Sequence, residues 1–218
     1  MRKQVLTLAV AAGVLSPAPA YAQGLGLGAR AGTLGLGAEA AVGLTDRLVV
    51  RGGFGVNPFD PSSTVDGKNV TLSIPTWYNA GVDIYLNGAM RVGGGVLIKR
   101  KDPGLQAEFD TPQDIGGIIF QPDEIGTVSG VMDSADQLPF LIIGFGKHTV
   151  PGVALFVDFG LAFLGDSDVT LDASGGSLSD DPATQAALDR EAQDFEDDLP
   201  TYLKFWPILS LGLRVGIR

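Results

Sequence analysis

In long stretches of this chain apolar residues recur at every second position, and charged residues fall only between them. In residues 69–86, Val70, Leu72, Ile74, Thr76, Tyr78, Ala80, Val82, Ile84 and Leu86 take one parity, while Asn69, Asn79, Asp83 and Tyr85 take the other. Successive strand side chains point to opposite faces, so such a segment is a strand with one apolar and one polar side. Residues 201–218 repeat the arrangement, with Leu209, Leu211, Leu213 and Val215 opposite Lys204 and Arg214. Residues 25–32, 35–43, 47–56, 89–99, 140–146 and 153–164 read the same way, which gives eight strands. Arg30, Glu39, Arg47, Arg51, Asp83, Arg91, Lys99, Asp158, Lys204, Arg214 and Arg218 all lie on the face opposite the apolar one. No segment after the N-terminus is apolar for 18 residues, the length a helical span requires.

Two architectures produce this pattern. A soluble antiparallel sandwich or barrel turns its apolar face inward; a transmembrane barrel turns it toward lipid and keeps a polar interior. Composition favours the second. The wet face of a soluble protein is rich in Lys, Glu and Asp, whereas only 18% of this chain is charged and 31 residues are glycine. The expected fold is all-β, an eight-stranded antiparallel transmembrane β-barrel with a short helix in its last outer loop.

The first residues read as an address. Arg2 and Lys3 precede an apolar run over residues 5–15, and Ala20-Tyr21-Ala22 offers a small-x-small cleavage site. That is the layout of a secretory signal peptide over residues 1–22, leaving residues 23–218 as the barrel. The expected location is the bacterial outer membrane, with lipid as the surrounding partner.

Connections alternate in length. Those at 44–46, 87–88 and 147–152 are short, and those at 57–68, 100–139 and 165–200 are long, as expected of periplasmic turns and outer loops respectively. This puts His148 in a periplasmic turn. Of the 25 acids, 19 fall within residues 102–136 and 166–198, where Arg190 is the one base. Asp181-Pro182 suits a helix start, and Leu188, Ala192, Phe195 and Leu199 follow at helical spacing. In the first hairpin, a tight turn at Leu34-Gly35 would set Arg30 opposite Glu39 as a cross-strand pair.

Little in the chain points to chemistry. There is no cysteine, which excludes thiolate metal sites and a cysteine nucleophile, and a single histidine. A net charge of -10 disfavours nucleic acid, because phosphates need Lys and Arg to neutralise them. No cofactor is expected. An eight-stranded barrel is just wide enough for side chains to fill it, so Arg30, Glu39, Arg51, Asp83, Arg91, Asp158, Lys204 and Arg214 are expected to form a lumen charge network. Asp166, Asp168 and Asp172 are weak metal candidates, because they lack the glycine and terminal glutamate of an EF-hand loop. Diffuse attraction of divalent cations to the acidic outer loops is the simpler expectation.

Several short stretches carry a family likeness: Gly32-Thr33-Leu34-Gly35-Leu36-Gly37, Thr45-Asp46-Arg47-Leu48, Pro139-Phe140 with Gly144 and Gly146, and Pro207-Ile208-Leu209-Ser210-Leu211-Gly212. Together they resemble small Gram-negative outer-membrane barrels of the OmpA/OmpX/OmpW kind, in a branch with a long acidic segment before the last strand. The resemblance implies a fold and a location. Barrel enzymes similar to lipid A deacylases or acyltransferases need a histidine near a serine at the outer rim, and omptin-like proteases pair Asp with His; His148 is expected on the other side. The expected function is therefore a non-catalytic barrel with a structural or surface-interaction role. The alternative is passive transport of small solutes, hydrophobic ones included, as the resemblance to the OmpW group implies.

Overall fold

The computed structural model describes residues 24–65, 68–165, 167–197 and 204–217. The expected signal peptide over residues 1–22, Asp166, Leu199 and Arg218 lie outside them. In chain order the elements are β1 (Leu25–Gly32), β2 (Leu36–Gly43), β3 (Leu48–Val56), β4 (Ser62–Val65), β5 (Lys68–Ser73), β6 (Trp77–Asn87), β7 (Met90–Lys99), β8 (Gly104–Phe109), β9 (Gln113–Ile115) and β10 (Ile118–Phe120). Then follow α1 (Pro122–Ile125), β11 (Gly126–Asp133), β12 (Gln137–Phe145), β13 (Gly152–Phe163), β14 (Asp168–Gly175), α2 (Pro182–Asp197) and β15 (Phe205–Ile217).

Eight strands close into an antiparallel barrel in the order β1-β15-β13-β12-β7-β6-β3-β2. Its polarity is inside out. Leu141, Val153, Leu155 and Leu211 are 62%, 74%, 63% and 56% exposed on the outer wall, whereas Arg91, Asp83 and Asp158 are buried within. Alternation in β12 is complete: Leu138, Phe140, Ile142 and Gly144 face in, and Pro139, Leu141, Ile143 and Phe145 face out. Glycine on the inner wall admits long charged chains. A Cβ at Gly144 would lie 2.5 Å from both Arg91 Cζ and Asp158 Oδ1, and one at Gly93 would lie 2.0 Å from Asp83 Oδ1. Neither position tolerates a side chain without displacing the ion pairs.

The register of the first hairpin differs from the expected one by two residues. The turn is centred on Thr33 and Leu34, with Gly35 N–H donating to Gly32 O at 2.9 Å. Arg30 therefore opposes Gly37, and Glu39 opposes Gly28. Two features set this turn. Gly35 takes φ +84, which favours glycine, and Leu34 folds inward to join the apolar residues at that end of the lumen. Both charges keep their inward face, because a two-residue slip preserves parity.

The segment expected as one strand over residues 69–86 is broken at Ile74-Pro75-Thr76 into β5 and β6. Proline lacks the N–H a central ladder needs. Residues 100–139 and 165–200, expected as loops with one helix, contain a second folded layer. β5, β8, β11 and β14 continue the adjacent barrel strands β6, β7, β12 and β13 beyond short breaks, and with β4 they form a five-stranded sheet in the order β14-β11-β8-β5-β4. Helix α2 is present as expected. Asp181 Oδ1 accepts from Ala183 N–H at 2.8 Å, and Leu188 and Ala192 are buried. α2 packs on this sheet, and with α1 and the β9–β10 hairpin it encloses Ile115, Phe120, Ile125, Val128, Ala187 and Leu188. This cap has its own dry core, with the ordinary polarity of a soluble domain.

Candidate functional site

The lumen is the densest assembly of charge in the structure. Arg91 on β7 reaches Asp83 on β6 through Nε at 2.8 Å, and its Nη2 meets Asp158 Oδ1 of β13. Arg51 on β3 returns from Asp158 Oδ2 at 2.9 Å to Asp83 Oδ1 at 3.2 Å. Four groups from four strands thus form a closed ring of alternating sign across the barrel. Arg51 Nη1 also lies 3.5 Å from Glu39 Oε2 on β2. Removing one member of such a buried set takes one of two partners from each neighbour and leaves an uncompensated buried charge, which is strongly destabilising.

His148 completes this assembly. It lies in the short turn where it was expected, between β12 and β13, yet its side chain is fully buried. Nδ1 lies 3.1 Å from Glu39 Oε1, and Nε2 lies 3.4 Å from Asp83 Oδ2. The turn between β12 and β13 folds up into the barrel mouth and is fastened there. His148 N–H donates to Tyr85 Oη at 2.7 Å, and Gly146 O accepts from Tyr85 Oη at 3.2 Å and from Arg91 Nη1 at 3.0 Å. The signal for this was local. Gly146 and Gly152 flank the turn with φ of +107 and +102, backbone states that favour glycine.

The remaining lumen candidates divide. Arg30 is buried and donates through Nη2 to Asn79 Oδ1 at 2.8 Å. Arg214 is buried beside Tyr85 and outside the ion-pair ring. Lys204 is exposed, not luminal, because it precedes β15, which begins only at Phe205. Arg47, given the inner face by alternation, is also exposed, because it lies in the turn before β3. Lys99 is buried at the cap end of β7 and bonds Asp102.

Above the charges the lumen turns apolar. Leu34, Trp77, Leu97, Leu138, Phe140, Ile142, Ala162, Leu164 and Ile208 form one buried cluster toward the cap end of the barrel. Trp206 packs against it, its ring centre 5.2 Å from that of Trp77 and tilted by 50°. The inner wall is therefore polar only through its middle and lower reach. Phe140 joins the two zones, with Arg51 Cζ 6.0 Å from its ring centre.

Asp168 and Asp172 lie exposed on one face of β14. Four residues apart along a strand, they are separated by about 13 Å, too far to share an ion. Among the described residues no group of three His, Asp or Glu side chains is arranged to hold a metal.

No protein-family model matches the chain, and no curated protein does. Solved structures match in fold. The crystal structure of Acinetobacter baumannii CarO has a TM-score of 0.59 at 20% identity, covering 87% of this chain and 96% of that one. Acinetobacter baumannii CarO2 has a TM-score of 0.63 at 16% identity, covering 89% and 98%. At these identities the likeness is one of architecture.

Proposed function

We propose that the chain is a non-catalytic β-barrel of the bacterial outer membrane, exported behind residues 1–22, with lipid against its wall and its folded cap on the outer side. The role that follows is structural or surface-interacting, through the cap. One observation carries this reading: the outer wall exposes Leu141, Val153, Leu155 and Leu211 while Arg91, Asp83, Asp158 and Arg214 are buried inside. Only a solvent of hydrocarbon makes that distribution favourable. Orientation follows from the short turns at one end and the cap at the other. Kinship with the OmpA/OmpX/OmpW-like barrels is part of the same reading, supported by the strand number and closed topology.

The ion-paired ring and the apolar cluster above it support a filled lumen over a conducting one. The sole histidine is engaged by Glu39 and Asp83, which supports a structural role for it over that of a base for a nucleophile. Excess acid on the cap draws divalent cations as a diffuse atmosphere, which lets anionic lipid headgroups approach the rim.

Membrane fractionation and planar-bilayer recording test this together. The protein is expected in the outer-membrane fraction, with folded and heat-unfolded forms migrating differently on gels and no discrete current steps. Reproducible steps would favour passive transport of small solutes. Full solubility without detergent would overturn the reading.

A further inference from the structure

Among the described residues the cap leaves an apolar surface uncovered. Leu72 of β5 is in register with Leu105 of β8, Leu105 with Gly130 of β11, and Gly130 with Leu171 of β14. This row crosses four strands on the face where α2 packs. The helix covers the neighbouring row at Val128 and Ala173, and Leu171 packs against the edge of that core, while Leu72 and Leu105 lie beyond it. The result is a groove of about 250 Å³ between the sheet and the end of α2, with Phe195 among its lining residues. Gly130 makes its floor: a Cβ there would lie 3.0 Å from Leu171 Cδ2 and 3.3 Å from Leu105 Cγ. Leu72 and Phe195 remain about half exposed.

Lipid does not account for this surface. β6 already spans 11 residues from Trp77 to Asn87, and a membrane strand needs roughly 9–11. Leu72 lies beyond the outer end of β6, past Pro75, in the aqueous zone. Contiguous apolar surface there marks an interaction site.

Charge selects the occupant. Glu191 lines the groove, with its Oε2 fixed by Gly116 N–H at 2.8 Å. Helix α2 carries Asp189, Glu191, Asp194, Glu196 and Asp197 against Arg190 alone. A groove of this size takes a ring or a short alkyl chain, since drug-sized sites run from roughly 300 to 1,000 Å³. An anionic head is repelled by the surrounding carboxylates, and a cationic one is attracted.

We infer that this groove is a binding site for a small lipophilic cation, with an aromatic or short alkyl body lying on Leu72, Leu105 and Leu171 over Gly130, and an ammonium head toward Glu191. The assignment rests on the bilayer reading only for the side of the membrane the groove faces. Binding to purified folded protein is independent of it, so either can fail alone.

The test is titration of the full folded protein in lipid nanodiscs with 4-phenylbutylammonium, 4-phenylbutyrate and ethylammonium, with empty discs subtracted. Saturable binding of 4-phenylbutylammonium is expected, with 4-phenylbutyrate weaker by about fivefold or more and ethylammonium not saturating. Phe195→Ala, at a half-exposed position, and Gly130→Leu, which fills the floor, should each weaken it about tenfold. Glu191→Gln should narrow the preference for the cation. Hydrogen exchange of the cap core verifies that each variant keeps its fold, and Phe195→Ala carries the test if Gly130→Leu does not. Absence of saturation above empty discs, equal affinity across the variants, or a preference for 4-phenylbutyrate would overturn the assignment.

Discussion

In the barrel, Arg91 and Asp83 are sealed from solvent while Leu141 lies 62% exposed; in the cap, Leu188 and Ile125 are sealed while Asp123 and Asp189 face water. Both regions are built on the same adjacent strands, β6 with β5, β7 with β8, β12 with β11 and β13 with β14. The difference is in the solvent each meets. On the bilayer reading proposed above, the polar groups inside the barrel must satisfy one another, because the wall faces hydrocarbon. In the cap, burial of apolar side chains away from water supplies the driving force. Short breaks, such as Ile74-Pro75-Thr76, mark the level at which one rule gives way to the other.

Substitutions can break this comparison region by region. The largest effect is expected in the ion-paired ring. Arg91→Met leaves Asp83 and Asp158 each short of a partner and should cost about 3–5 kcal/mol, read from urea unfolding in lipid vesicles. If the ring were merely a solvated channel lining, the cost would be small. In the cap, Leu188→Ala opens a cavity in a fully buried site and should cost about 2–5 kcal/mol. Hydrogen exchange should show that loss confined to α1, α2, β11 and β14, with the barrel amides unchanged. Loss of protection throughout the barrel would show that the two regions unfold as one.

Two arginine substitutions sharpen the contrast between exposed surfaces. Leu141 is central in β12, and Leu141→Arg should cost about 2–4 kcal/mol if its surroundings are bilayer midplane. Ile119, on the cap, is 69% exposed, and Ile119→Arg should stay within about 0.5 kcal/mol. Both are read from the same unfolding curves. Equal costs would mean that the two surfaces share one solvent.

Legibility followed the same division. The barrel strands could be read because their alternation is long and all but a few charges obey it; Arg47 and Lys204 are the exceptions, and both lie just outside strand ends. The cap strands alternate too, as Leu105, Ala107 and Phe109 or Val169, Leu171 and Ala173 show. Their runs are short and set among acids, so composition suggested loops. The network was legible as far as parity reaches: Arg51, Asp83, Arg91 and Asp158 meet because their strands place them inward. His148 was not, since a turn residue has no parity and its burial depends on how Tyr85, Glu39 and Asp83 converge. The first hairpin shows the remaining limit. Alternation fixes which face a residue takes, but only turn geometry, here Leu34 and Gly35, fixes which residue stands opposite.

The central claim is that the wall of the barrel meets acyl chains and its charges do not. Adjacent positions on β12 test it directly: Leu141→Cys and Phe140→Cys, each labelled with a small fluorophore and refolded into vesicles of lipids brominated at mid-chain. Strong quenching at position 141, weak quenching at position 140 and none at a label on Ile119→Cys is the predicted result. Quenching at 140 in place of 141, or none at either, would contradict it.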